Sequence, residues 1–268
     1  MSFDHMLTLF SDLDHTLIYS HRVKPGGTCI QVETLNDRPQ SFMTEKAWNT
    51  LSDMVGSDQL HIVPVTTRTP LQVERLAALT DRLRIRYALT CNGAVLLDHG
   101  LVDPAWLEES RHLAGGELDE LTKVQEELQK LCGPEKTHFP HGIMAYGVPG
   151  DVQKCLASLR EKADPEKCFL GHDSRKVYCC PRSLNKGAAV RRFREKHNTG
   201  RCVAAGDSEF DLPMFYEADY AVFPTALPHE KIPISCFLSG KEQILSDVIC
   251  DTLLFLTDSG RNRKNAER

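Results

Sequence analysis

Two carboxylates, Asp12 and Asp14, stand two residues apart where an apolar run ends, in FSDLDHTLI from Phe10 to Ile18. Charged side chains at the end of a buried strand carry a desolvation cost and require a compensating partner. Polar side chains recur where other apolar runs stop: Thr66-Thr67-Arg68 after LHIVPV, and Asp207 with Asp211 after RCVAA. A lysine, Lys186, opens a helical stretch at Asn185-Lys186-Gly187. In open α/β sheets ligands bind at the C-terminal edge of the strands, and that edge would collect all of these groups. Four carboxylates gathered there are best stabilised by a cation. An all-oxygen donor set suits a hard ion such as Mg²⁺ rather than zinc.

The elements that must position these groups are legible from periodicity. MLTLFSD (6–12), LHIVPVT (60–66), RCVAAGD and DYAVF have the pattern of strands. Pro64 cannot donate to a ladder, but Thr69 and Pro70 then supply a helix start, with Val73, Leu76, Ala77 and Leu83 behind them. Residues 19–42 carry turn signals at Pro25-Gly26-Gly27 and Asn36-Asp37 around CIQVETL, which predicts a hairpin flap. A helix is expected from Thr44 to Met54, and YALT, the turn CNGA and VLLD follow Leu83. From about residue 100 the character changes. A charged amphipathic helix (117–131), the strand IMAYGV, a helix (151–163) and two strands around a His172–Arg175 turn interrupt the alternation, which resumes with the helix GAAVRRFREKH. DLPMFYEA reads as a short helix, 241–256 as the last one, and TDSGRNRKNAER as a frayed polar tail. Strands alternating with helices imply a mainly parallel sheet covered on both faces, with 99–181 as an inserted α+β domain.

The 268 residues are 41% hydrophobic and 26% charged, an ordinary globular composition. A balance of 32 basic against 37 acidic residues, net −5, argues against a general nucleic-acid binder. No apolar run approaches a membrane span and no secretion signal is evident, so a cytoplasmic protein without membrane partners is expected. The 10 cysteines are too sparse for a disulfide scaffold and contain no CxxC pair. Adjacent Cys179 and Cys180 should point to opposite faces of a strand, so reduced, partly buried thiols are expected.

FSDLDHTLI, PVTTRT, CNGA, LNKGAAV and AAGDSEFDLPMF resemble, in order, the motifs of the haloacid dehalogenase (HAD) superfamily of Mg²⁺-dependent phosphatases. The position of the insertion resembles the subclass with an α/β cap, type IIB (C2B), which includes Cof-type, sucrose-phosphate and mannosyl-3-phosphoglycerate phosphatases. The resemblance covers roughly 1–98 and 182–256. It implies a Rossmann-like core formed by 1–98 and 182–268, with a flap near 19–42 and a cap at 99–181.

The resemblance also implies roles. Asp12 is the expected nucleophile, an ionised carboxylate that forms an aspartyl-phosphate. Asp14 is the expected acid and base. Thr66 and Lys186 would hold the phosphoryl oxygens. Mg²⁺ would bind Asp12, the Asp14 carbonyl and Asp207, with Asp211 in direct contact or behind them. His15 and Thr67 depart from the family pattern at positions where glycine is usual. Candidate substrate contacts are Thr67, Arg68 and Asn92 on the core and His172 and Arg175 on the cap, whereas His21, Arg22 and Lys24 fit a solvated loop. The expected activity is hydrolysis of a small phosphorylated metabolite, a sugar phosphate or phosphorylated sugar acid. A phosphomutase and a non-catalytic phospho-ligand sensor are the alternatives.

Overall fold

The computed structural model describes residues 6–228, 232 and 234–266, with the backbone alone for 260–266. Among them the chain runs β1 (Leu7–Ser11), β2 (Tyr19–Ser20), β3 (Cys29–Leu35), β4 (Arg38–Thr44), α1 (Glu45–Gly56), β5 (Leu60–Pro64), α2 (Pro70–Glu74) and α3 (Ala77–Arg82). It continues with β6 (Tyr87–Thr90), β7 (Val95–Asp98), β8 (Leu101–Val102), α4 (Pro104–Ala114), α5 (Glu117–Cys132), β9 (Thr137–His138), β10 (Ala145–Gly147), α6 (Val152–Arg160), β11 (Cys168–Asp173) and β12 (Lys176–Pro181). The last stretch is α7 (Lys186–Lys196), β13 (Cys202–Ala205), α8 (Leu212–Phe215), β14 (Tyr220–Pro224), β15 (Ser235–Ser239) and α9 (Leu245–Ala266).

The central sheet is parallel, in the order β15-β14-β13-β1-β5. Strand alternation divides its side chains between two layers. Leu9, Ile62, Val203 and Val222 pack against Met54 of α1 and Ile249 and Leu253 of α9. Their neighbours Phe10, Val63, Ala204 and Phe223 pack against Val190 and Phe193 of α7 and Met214 of α8. Trp106 of α4 belongs to this second layer; its indole donates to the Gly93 carbonyl (3.1 Å) and lies under the Arg192 guanidinium (3.9 Å). Pro64 is accommodated because Val65 N–H already bonds Ser11 on one side, and pairing on the other side begins only at Thr66 N–H, with Leu89.

Several expectations need adjusting. The helix after Thr69 breaks in two: a capping box closes Thr69 with Gln72, and the chain turns at Arg75–Leu76 before α3. Helix α4 and strand β15 were not anticipated, and α9 continues through residues expected to form a frayed tail. The flap is a three-stranded sheet, β2-β4-β3, with register shifts around Glu33.

Strands β11-β12-β10-β9 form a separate antiparallel sheet. One face packs beneath α5 and α6 through Leu121, Leu156, Val177 and Cys179; the other carries Tyr146, Tyr178 and Cys180 toward Phe210 and Leu184. Cys179 and Cys180 thus do face opposite ways, and all ten cysteines are free thiols. No helix of the described residues is long and apolar enough to cross a membrane.

Candidate active site

The end of β1 passes straight into a tight turn. Leu13 carbonyl accepts from Leu17 and Ile18, and His15 N–H returns to the Ile18 carbonyl (2.8 Å). His15 sits in the left-handed region (φ 61°), a conformation that glycine adopts without strain. Thr67 is not among the positive-φ residues, so its side chain imposes no such strain. The turn directs Asp12 and Asp14 to the sheet edge. Beside them, Asn185 caps α7 by accepting from Ala188 N–H (2.9 Å), so that Lys186 opens the helix facing β1.

Lys186 is 1% exposed, and its Nζ lies 2.8 Å from Asp12 Oδ1 and 2.6 Å from Asp211 Oδ1. The other Asp211 oxygen accepts from Asp207 N–H (3.0 Å), Ser208 N–H (2.9 Å) and the Ser208 hydroxyl (2.9 Å). Asp211 therefore shapes the loop after β13 and has little capacity left for a metal. Gly206 makes this possible, because a Cβ there would sit 2.3 Å from Asp211 Cγ. Asp207 takes a bond from the Thr16 hydroxyl (3.1 Å). Thr66 is fully buried, and its hydroxyl accepts from Arg68 N–H (3.1 Å).

One carboxylate oxygen from each of Asp12, Asp207 and Asp211 falls within 4.8 Å of the others. Burial, opposed by Lys186 and reinforced by Asp211 and Asp207, pushes the Asp12 carboxyl well above the usual range. Burial and Asp211 push Asp207 up to about 7. Lys186 alone therefore does not neutralise the cluster. The oxygen donors and the excess negative charge fit a hard divalent cation such as Mg²⁺.

Arg68 is committed elsewhere than expected. Its guanidinium grips Asp14 through Nε (2.7 Å) and Nη2 (2.8 Å) and reaches Glu33 of the flap (3.0 Å). Glu33 is buried and also holds Arg75 (2.9 Å) and the Ser41 hydroxyl (2.5 Å). Burial would raise the Asp14 carboxyl, but Arg68 outweighs it and holds the group below the usual carboxylate range.

The β9–β12 sheet meets this edge. His15 Nε2 lies 3.8 Å from Asp173 Oδ1, and Tyr178 on β12 is buried against Phe210 of the loop after β13. Phe210 packs edge-on to Phe169 (5.0 Å) and Tyr178 (5.7 Å), and covers Gly171, where a Cβ would lie 2.6 Å from its ring. Phe210→Ala is expected to cost about 3 kcal/mol in denaturant unfolding, from lost burial plus the cavity left behind; a cost within 0.5 kcal/mol would show that the two layers do not depend on this ring.

His172 and Arg175 are not brought to the site. His172 alternates with core-facing Gly171 and Asp173, and Arg175 is exposed in the turn. Asn92 is buried; its amide donates to the Leu184 carbonyl (3.3 Å) and ties the β6–β7 turn to the chain entering α7. His21, Arg22 and Lys24 are exposed, as expected. Glu33, Arg75, Asp173 and Lys176 were missed by sequence reading.

No protein-family model matches the sequence, and no curated protein matches it. Solved structures do resemble it. The sucrose-phosphatase of Synechocystis sp. PCC6803, in complex with sucrose and phosphate, superposes with a TM-score of 0.59 at 16% identity, over 96% of this chain and 99% of that one. A HAD subclass IIB sugar phosphatase gives 0.61 at 16% identity, over 94% and 99%. The C-terminal domain of a C. albicans trehalose-6-phosphate phosphatase gives 0.57 at 16%, over 95% and 93%. The fold is that of the HAD superfamily phosphatases: a Rossmann-like α/β architecture around a parallel sheet.

Proposed function

We propose that this chain is a Mg²⁺-dependent phosphomonoester hydrolase that works through an aspartyl-phosphate on Asp12. The substrate is a small phosphorylated metabolite, a sugar phosphate or phosphorylated sugar acid. The observation that carries the proposal is Lys186, buried between Asp12 and Asp211 at 2.8 and 2.6 Å beside a third carboxylate, Asp207. A buried ammonium gripping one strand-end carboxylate, with Thr66 alongside, is suited to a phosphoryl group. The descriptions of the similar structures as sugar phosphatases support the substrate class.

The Asp12 carboxylate attacks phosphorus and the bond to the leaving oxygen breaks, splitting one displacement into two. Lys186 fixes the carboxylate and opposes charge on the phosphoryl oxygens, and the Thr66 hydroxyl donates to them. Asp14, ionised beside Arg68, suits the second half, where it takes a proton from the attacking water. In the first half it must deliver a proton to the leaving oxygen, so its carboxyl has to be freed from Arg68. Mg²⁺, held by Asp12, the Asp14 carbonyl and Asp207 with Asp211 behind them, would supply neutralisation of the phosphoryl charge. Residues 1–98 and 182–268 act as the core and 99–181 as the cap that selects substrate.

Purified protein is expected to release inorganic phosphate from a member of a panel of phosphorylated sugars, sugar acids and nucleotides. Release should stop with chelator and return with Mg²⁺. Absence of release from every member, with Mg²⁺ binding demonstrated by calorimetry, would turn the assignment toward a mutase or a sensor.

A further inference from the structure

Strand β12 lies between β11 and β10 in the antiparallel sheet, and its alternation is fixed by packing. Tyr178 and Cys180 face Phe210, while Val177 and Cys179 lie beneath α5 and α6. Lys176, two residues before Tyr178, therefore shares the face turned toward the sheet edge. Its side chain is half-buried, with Nζ 5.4 Å from the Tyr146 ring centre. Tyr146 in turn is stacked on His138 (4.7 Å) and packed on Tyr178 (5.6 Å).

The charges that act on Lys176 come from four places, Asp14 after β1, Asp173 on β11, Arg68 after β5 and Arg75 after α2, and Asp173 is its cross-strand neighbour. Two carboxylates there, Asp14 and Glu33, already have arginine partners, and the cross-strand Asp173 has the His15 imidazole beside it. Asp14 is gripped by both Nε and Nη2 of Arg68, Glu33 is shared by Arg68 and Arg75, and Asp173 lies 3.8 Å from His15. Among the described residues Lys176 forms no ion pair within 4.0 Å of its own. Burial lowers its pKa, the mark of an ammonium stripped of water without full compensation. An incompletely paired cation at the mouth of a phosphate site calls for an anion that arrives with the substrate.

We propose that Lys176, with Arg75 adding to the same positive potential, recognises a second anionic group on the substrate, a carboxylate or second phosphate remote from the transferred phosphoryl. This rests on the phosphatase reading above and narrows its substrate class to doubly anionic sugars. Sequence alternation also explains why Lys176 replaces His172 and Arg175 in this role: those two fall on the other face and in the turn.

The test is calorimetric binding to the Asp12→Asn protein in Mg²⁺, which needs no turnover. The probe pairs are glucose 1-phosphate with glucuronate 1-phosphate, and glucose 6-phosphate with 6-phosphogluconate, each compared also with glucose 1,6-bisphosphate. At least one doubly anionic member is expected to bind roughly tenfold or more tightly than its singly anionic partner. Lys176→Met in the same background should bring the ratio close to one, and Lys176→Arg should largely keep it. Preference for the acids identifies a carboxylate; preference confined to the bisphosphate identifies a phosphate. Equal binding within every pair, or a preference that survives Lys176→Met, overturns the proposal. Failure of the phosphatase reading shows instead as absence of phosphate release from the wild-type protein, whatever the binding ratios.

Discussion

Asp12→Asn is expected to lower phosphate release by at least about 10⁴-fold, on the scale of removing a covalent nucleophile, and at the same time to stabilise the metal-free protein. The amide keeps the shape of the side chain and an oxygen for Lys186, but it cannot attack phosphorus. The stability effect has the opposite sign because the native site disfavours the ionised carboxylate: burial and the neighbouring Asp211 and Asp207 raise its pKa despite Lys186. An acid whose folded pKa lies above its unfolded value contributes stability at low pH that is lost as the pH rises through the folded value. At neutral pH Asp12 is thus a liability without metal, and asparagine, which does not titrate, removes it. A gain of about 1 kcal/mol, or about 2 °C in melting temperature for a chain of this size, should appear in chelator near pH 7.5. It should vanish under acid conditions that leave Asp12 protonated in both states. Retained turnover would remove Asp12 as nucleophile, and a loss of stability in chelator would mean that Lys186 compensates its charge fully.

The groups proposed to act on phosphate were legible because they interrupt strong patterns. Asp12, Thr66 and Asp207 each follow a run of buried strand residues, where charge or a hydroxyl carries a desolvation cost that a partner must offset. Lys186 was legible through its place at the start of α7 after a capping asparagine. Asp211 was found, but not its limits: only the structure shows that one of its oxygens is saturated by the loop it holds.

What escaped depends on strand phase and on partners distant in the chain. In β3 a register shift lets Val32 and Glu33 both be buried, so the usual alternation that would send Glu33 to solvent fails. Its partners, Arg68 and Arg75, lie 35 and 42 residues away, across the join between flap and α2. On the β11–β12 hairpin the two charged residues on the useful face are Asp173 and Lys176, one position from those singled out. A one-residue error of phase exchanges the faces of a strand, and only packing against Phe210 and Gly171 decides it. Helix α4 was hidden for another reason: Trp106 makes its contacts with α7 and the β6–β7 turn, which no local periodicity records.

Lys186→Met should have the largest combined effect on stability and turnover. The ammonium is buried and bonded to two carboxylates, and burial, which would lower its pKa, is outweighed by Asp12 and Asp211, which raise it. Removing one partner of such a cluster leaves uncompensated charge, at a cost of about 3–5 kcal/mol. That cost should be greatest in chelator at pH 8 and shrink toward pH 5. Asp207 already titrates at about 7 with the lysine present, so between the ordinary carboxylate pKa near 4 and that value the native state binds more protons than the unfolded one. Stability then falls as pH rises across this window, more steeply without the lysine. Mg²⁺ should recover part of the loss at pH 8 by restoring positive charge, yet phosphate release should stay down by about 10³-fold, because the charge no longer lies against the phosphoryl oxygens. Denaturant unfolding at both pH values, with and without Mg²⁺, separates the two roles. A loss independent of pH and metal would make Lys186 a packing element, whereas a loss that either protons or Mg²⁺ repair identifies it as the counter-charge that lets three carboxylates share one strand edge.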